Sequence, residues 1–160
     1  WMHHYMNGRA VPVLPVLCGS FHHFVTENGD PATDANITAA IEYIREATVD
    51  RKTLVVAAGD LAHVGPAFGD AQSVDAEGRE SLMKRDAESI AAIRDGDAAR
   101  FFSLSSSEKD SRRFCGLSCI YLTLRLLDGA KGESIGYQQC AADPEGGSIV
   151  SIVGAVFWEE

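Results

Sequence analysis

The stretch RKTLVVAAGDLAHVG, Arg51 to Gly65, decides how this chain is read. Arg51, Lys52 and Thr53 are polar, Leu54 to Ala58 are apolar without alternation, and the run stops abruptly at Gly59 and Asp60. A short apolar run of this kind predicts a strand buried on both faces of a mainly parallel sheet. In such sheets ligands bind in the loops at the carboxyl ends of strands, which is where Asp60 and His63 fall. Asp60 is suited to orient His63 or to accept a proton. A neutral His63 imidazole is suited to bind a metal or to act as acid or base near neutral pH. The plainer alternative is a turn in which Asp60 caps the following backbone and His63 is incidental.

Upstream, PATDANITAAIEYIREAT, residues 31–48, carries Ile37, Ala40, Ile41 and Ile44 at helical spacing, with Thr33 or Asp34 available as N-cap. Before it, AVPVLPVLCGS, residues 10–20, is apolar and β-rich, and Cys18-Gly19-Ser20 closes it as a strand entering a loop. Strand, helix, strand reads as a βαβ unit.

Downstream, a Gly/Pro/Asp loop leads into ESLMKRDAESIAAIRDG, whose Met83, Ala87, Ile90 and Ala91 predict the buried stripe of an amphipathic helix. DAARFFSLSS reads as a further short helix, and Phe114 to Leu127 as a strongly apolar, buried helix interrupted mainly by Arg125. ESIGYQQCA and GSIVSIVGAVFWEE read as two strands that can pair as a hairpin across DPEGG. No internal repeat, low-complexity tract or linker divides the chain, so a single domain over residues 1–160 is expected.

The charge balance narrows the partners. Twenty-three acidic against fourteen basic residues give a formal charge of -9, which repels phosphate backbones and anionic lipid surfaces. No apolar run reaches the roughly eighteen residues of a membrane span, and WMHHYMNGRA lacks the basic and apolar regions of a signal peptide. A soluble cytoplasmic protein binding neither nucleic acid nor membrane is expected.

Cys18, Cys115, Cys119 and Cys140 are read as free thiols, because a chain of 160 residues with an ample core does not need the bridges of small secreted domains. Cys115 and Cys119 have C-x3-C spacing without a second pair, which does not make a structural zinc site. Cys115 precedes Gly116 at a helix start, where backbone N–H groups make a thiol a better ligand or nucleophile; a buried core cysteine is the plainer reading. His22 and His23 follow a strand end and at most one faces the same edge as Asp60, since neighbours on a strand point opposite ways. His3 and His4 are weaker candidates. No GxSxG elbow, Walker loop or GxGxxG occurs, which removes the common hydrolase and nucleotide signatures.

Taken in order, PVLPVLCGSF, LVVAAGDLAHVGPAFGD, GDAARFF, FCGLSCIYLTLRLL and GGSIVSIVGAV resemble the Memo-like family, whose bacterial members are called AmmeMemoRadiSam system protein B. The resemblance implies a three-layer α/β/α fold with a mainly parallel central sheet, related to class III extradiol dioxygenases. It also implies a pocket that binds iron or copper in some members. Asp60 and His63 match that pocket's Asp and His, and Cys115 matches its Cys. The family's pocket takes two further histidines from an N-terminal half containing a His-Ser-Ile/Leu-Glu block. This sequence has no such block and so resembles the C-terminal part, with half of the site. Ser118 and Cys119 stand where many members carry His-Pro or Pro-Pro.

The resemblance therefore implies a metal-dependent redox protein of dioxygenase ancestry, an iron or copper oxidoreductase in which Cys115 and His63 hold the metal and Asp60 orients or accepts a proton; in the alternative, His63 is the catalytic acid or base and the metal is held mainly by the two further histidines. The rival is a non-catalytic module that keeps the pocket for a small molecule or peptide. A complete ligand set with open metal positions distinguishes the enzyme from the binder.

Overall fold

The DPEGG stretch turns the chain back on itself and pairs β2 (Gly132–Ala141) with β3 (Ile149–Phe157) as an antiparallel hairpin, as its flanking pattern predicts. In this computed structural model, which describes residues 2–158, a third short strand, β1 (His63–Val64), joins the other edge of β3. The sheet order is β1-β3-β2, antiparallel throughout. Around it run α1 (Met2–Tyr5), α2 (His22–Thr26), α3 (Ala35–Thr48), α4 (Ala76–Arg94), α5 (Ala98–Ser107) and α6 (Leu117–Leu127). None of these helices is long and apolar enough to cross a membrane.

The fold is mixed α/β, but the expected mainly parallel sheet and βαβ unit do not form. Residues 51–60 and 10–20 are irregular, in neither helix nor strand, and have no ladder partner among the described residues. Leu54 is 84% exposed and Leu17 99%, so the apolar runs that predicted burial on both faces are covered on neither. Apolar composition states what a segment needs, whereas a ladder and a cover must be supplied by other segments. The chain enters the sheet only beyond Asp60, where Leu61 donates to the Ser151 carbonyl and Ser151 to the Ala62 carbonyl, each at 2.9 Å.

The helices follow the sequence more closely. Asp34 caps α3, its carboxylate accepting from Asn36 and Ile37 N–H at 2.9 Å each. α4 packs on β2 and β3, α5 on α4 and α6, and α3 on α6. Leu61, Ala62, Ala92, Phe101 and Ile149 are wholly buried where these layers meet. The helix expected from Phe114 begins three residues later, at Leu117, because Phe114 to Gly116 form the turn that enters it.

On α4 the buried face is Leu82, Asp86, Ser89, Ala92 and Ile93 instead of the expected stripe, and Met83 is 48% exposed. The helix is rotated because its polar residues have a buried partner. Arg112, 2% exposed, donates to Asp86 Oδ1 at 2.6 Å, to Glu108 Oε1 at 2.6 Å and to Ser89 Oγ at 3.1 Å. Its guanidinium lies 4.4 Å from the centre of the Phe114 ring. Tyr137 of β2 donates to the second Asp86 oxygen at 2.8 Å, and burial first, then the Asp86 carboxylate, push the phenol pKa up to about 12. Asp86 is thereby satisfied on both oxygens, tying α4, the loop before α6 and the hairpin together.

Removing one partner of such a pair leaves an uncompensated buried charge. Asp86→Ala is expected to lower the unfolding free energy by about 3 kcal/mol, at the low end of the usual 3–5 because Glu108 still pairs with Arg112. Urea denaturation followed by circular dichroism checks this, and an unchanged midpoint would contradict the role given to the pair.

Candidate functional site

Asp60, His63 and Cys115 come together: the carboxylate, imidazole and thiol atoms all lie within 4.8 Å of one another. The two strands of sequence that meet here are far apart in the chain and approach through glycines. A Cβ on Gly59 would lie 2.6 Å from the Gly116 Cα, and one on Gly116 would lie 2.6 Å from the Asp60 carbonyl oxygen. With no side chain at either position, Gly116 N–H donates to the Asp60 carbonyl at 2.9 Å, and Asp60 N–H points at Cys115 Sγ, 3.1 Å away. Cys115 is placed just ahead of α6, as its sequence position suggested, but it is exposed and not a core residue.

His63 is held from several sides. Its Nδ1 faces the Leu61 carbonyl at 3.3 Å, which favours the tautomer with Nδ1–H donating and Nε2 left free. Nε2 lies 3.9 Å from Asp60 Oδ2, and Phe68 meets the ring edge-on at 5.1 Å between centres. The imidazole is 19% exposed and the Asp60 side chain 48%, so the carboxylate faces solvent beside a half-sheltered ring. Among the described residues the Asp60 carboxylate caps no backbone group and lies beside the His63 ring, so the plain-turn reading does not hold for it.

The backbone of His63 is fixed by residues that sequence reading did not single out. Its N–H donates to the Arg112 carbonyl at 2.7 Å and its carbonyl accepts from Arg113 Nη1 at 2.8 Å. Arg113 adopts φ 51°, a left-handed conformation that sends Arg112 into the core and its own guanidinium to Asp70. Asp70 also accepts from Gly65 N–H at 2.7 Å. Gly65 has φ 104°, and a Cβ there would lie 2.6 Å from the Ser148 Cα, so the Gly that closes the Asp-x-x-His-x-Gly block is required by the turn. The quoted blocks contain Asp70 and Gly65, yet nothing in their spacing announces that Arg113 joins them.

A cavity of about 240 Å³ opens on the Cys115 side of the cluster. Its polar lining comes from Cys18, Ser20, His22, Asp110, Cys115 and Ser118, and neither Asp60 nor His63 reaches it. His22 thus borders the site without joining the donor cluster, whereas His23 packs against Phe24 with 3.9 Å between ring centres. His3 and His4 are exposed on α1. All four cysteines are free thiols.

A family model described as Memo-like protein matches residues 11–156. No curated protein and no solved structure matches the chain.

Two predictions follow from this geometry. The Arg113 hydrogen bonds, then the Gly65 N–H, hold the Asp70 carboxyl below the ordinary aspartate range. Its contribution to stability is therefore present above the unfolded value of roughly 3.9 and is lost as pH falls through the lower folded value. Carboxyl-carbon NMR titration should place the Asp70 midpoint below that of a free aspartate and return it upward in Arg113→Gln; equal midpoints would contradict the pairing. Gly116→Ala should separate the Gly59 crossing and cost about 1–3 kcal/mol as an overpacked contact. Thermal melts compared with Gly19→Ala, where a Cβ meets nothing, provide the control.

Proposed function

The chain belongs to the Memo-like family, and on that premise, with the Asp60, His63 and Cys115 cluster beside a polar cavity, we propose that it is a metal-dependent redox protein of dioxygenase ancestry acting on a small molecule. The observation that carries the proposal is the convergence of three chemically different donors on one point. An imidazole whose other nitrogen is tied to a backbone carbonyl is how metal-binding histidines are commonly set. Thiolate, imidazole and carboxylate together form a mixed soft and hard donor set that suits iron or copper.

In this reading Cys115 Sγ and His63 Nε2 hold the metal, which when bound supplies redox chemistry. Asp60, solvent-facing and free of caps, accepts the proton of a substrate hydroxyl. The cavity lined by Ser20, His22, Asp110 and Ser118 offers hydrogen-bonding groups to a small polar substrate. The Asp60 N–H aimed at Cys115 Sγ, 3.1 Å away, fixes where the sulfur sits beside the imidazole.

The test is the metal content of anaerobically purified protein, measured by elemental analysis for the wild type and for His63→Ala, Cys115→Ala and Asp60→Asn. Iron or copper is expected in the wild type, with a fall of tenfold or more in affinity for His63→Ala and Cys115→Ala and a smaller fall for Asp60→Asn. Wild-type protein that stays metal-free after reconstitution would overturn the proposal in favour of a pocket that binds a small molecule or peptide without turnover.

A further inference from the structure

Three of the four cysteines gather at the end of α6. Cys18 and Cys115 line the same cavity from opposite parts of the chain, Cys18 on the irregular segment before α2 and Cys115 on the turn before α6. Cys119 lies behind the Gly59 crossing, with Sγ donating to the Gly116 carbonyl at 3.4 Å, and does not line the cavity. Burial first, then the Cys18 thiol and, less, the Cys115 thiol push the Cys119 pKa up.

The two cavity thiols differ in how they are held. Cys115 is exposed and its sulfur faces the Asp60 N–H at 3.1 Å. Cys18 is half-buried on a segment where residues 10–19 make no hydrogen bond to the rest of the described chain, so nothing but side-chain packing resists its approach to Cys115.

We propose that Cys18 and Cys115 are a peroxide-responsive thiol pair that closes as a disulfide across this cavity. The Cys115 sulfur attacks one oxygen of a hydroperoxide, the O–O bond breaks, and the protein is left with a sulfenic acid while an alcohol, or water from hydrogen peroxide, departs. The Cys18 sulfur then attacks the Cys115 sulfur, the S–O bond breaks, and water leaves with the Cys18 proton. Two thiols lose two electrons and the peroxide gains them. Because Cys115 is also a donor in the proposed metal site, closing the pair removes it from that site; this consequence rests on the metal reading, whereas the disulfide itself does not.

The experiment is peptide mapping by mass spectrometry, without reductant, of the metal-free full chain titrated with hydrogen peroxide. The expected result is a peptide linking Cys18 to Cys115, abolished by dithiothreitol. In Cys18→Ser the link is lost and Cys115 is instead captured as sulfenic acid by dimedone. A link between Cys18 and Cys119, or Cys115 passing to sulfinic acid in the wild type with no link formed, would overturn the proposal. The metal reading is judged separately, from the metal content of the reduced protein, so the two fail independently.

Discussion

The buried pairing of Arg112 with Asp86 is the interaction on which both the packing and the site depend. A guanidinium and a carboxylate withdrawn from water are tolerable only when their remaining groups are satisfied, and here Glu108, Ser89 and Tyr137 complete the set. The consequence reaches outward along the backbone. With its side chain fixed in the core, Arg112 presents its carbonyl to His63 N–H at 2.7 Å. The left-handed turn at Arg113 then lets the next side chain leave in the opposite direction, toward Asp70 and the His63 carbonyl. One dipeptide thus joins the core to the imidazole.

Cys115 reaches the cluster through a different device, a place where two backbones touch because neither carries a side chain. Gly59 and Gly116 are interchangeable with no larger residue unless the loop moves away from α6. The crossing sets the Asp60 main chain against Cys115, so the backbones that carry the carboxylate and the thiol are held together by direct contact. Such placement on rigid elements is what a coordinating or proton-transferring cluster requires.

Much of this was readable from the residues, for identifiable reasons. Helices α3, α5 and α6 carry caps or apolar periodicity that act locally, and the hairpin carries a turn signal between two β-rich runs, so neighbours in sequence suffice to specify them. Asp60, His63 and Cys115 were legible as candidates from their places after an apolar run and before a helix, and their grouping from the likeness to a family. The α4 face was not, because Asp86 and Ser89 are drawn inward by an arginine that follows α5 in the chain. Arg113 and Asp70 were invisible for the same reason: long-range pairing has no period. The sheet was misread where an apolar run was equated with a paired strand, although Leu54 and Val56 stay exposed and the ladder begins only past Asp60.

That boundary at Asp60 gives the site its character. On its carboxyl side, Leu61 and Ala62 are wholly buried and bonded to Ser151, and His63 is pinned by Arg112 and Arg113. On its amino side, residues 54–58 and the similar case of residues 10–17 are irregular, apolar and exposed. The donors are therefore anchored from the core side, while the cavity wall bearing Cys18 belongs to a segment without backbone hydrogen bonds. Local opening costs least where such bonds and buried apolar contacts are fewest. The geometry of Asp60, His63 and Cys115 is thus the rigid half of the site, and any adjustment to what enters the cavity falls on the Cys18 wall.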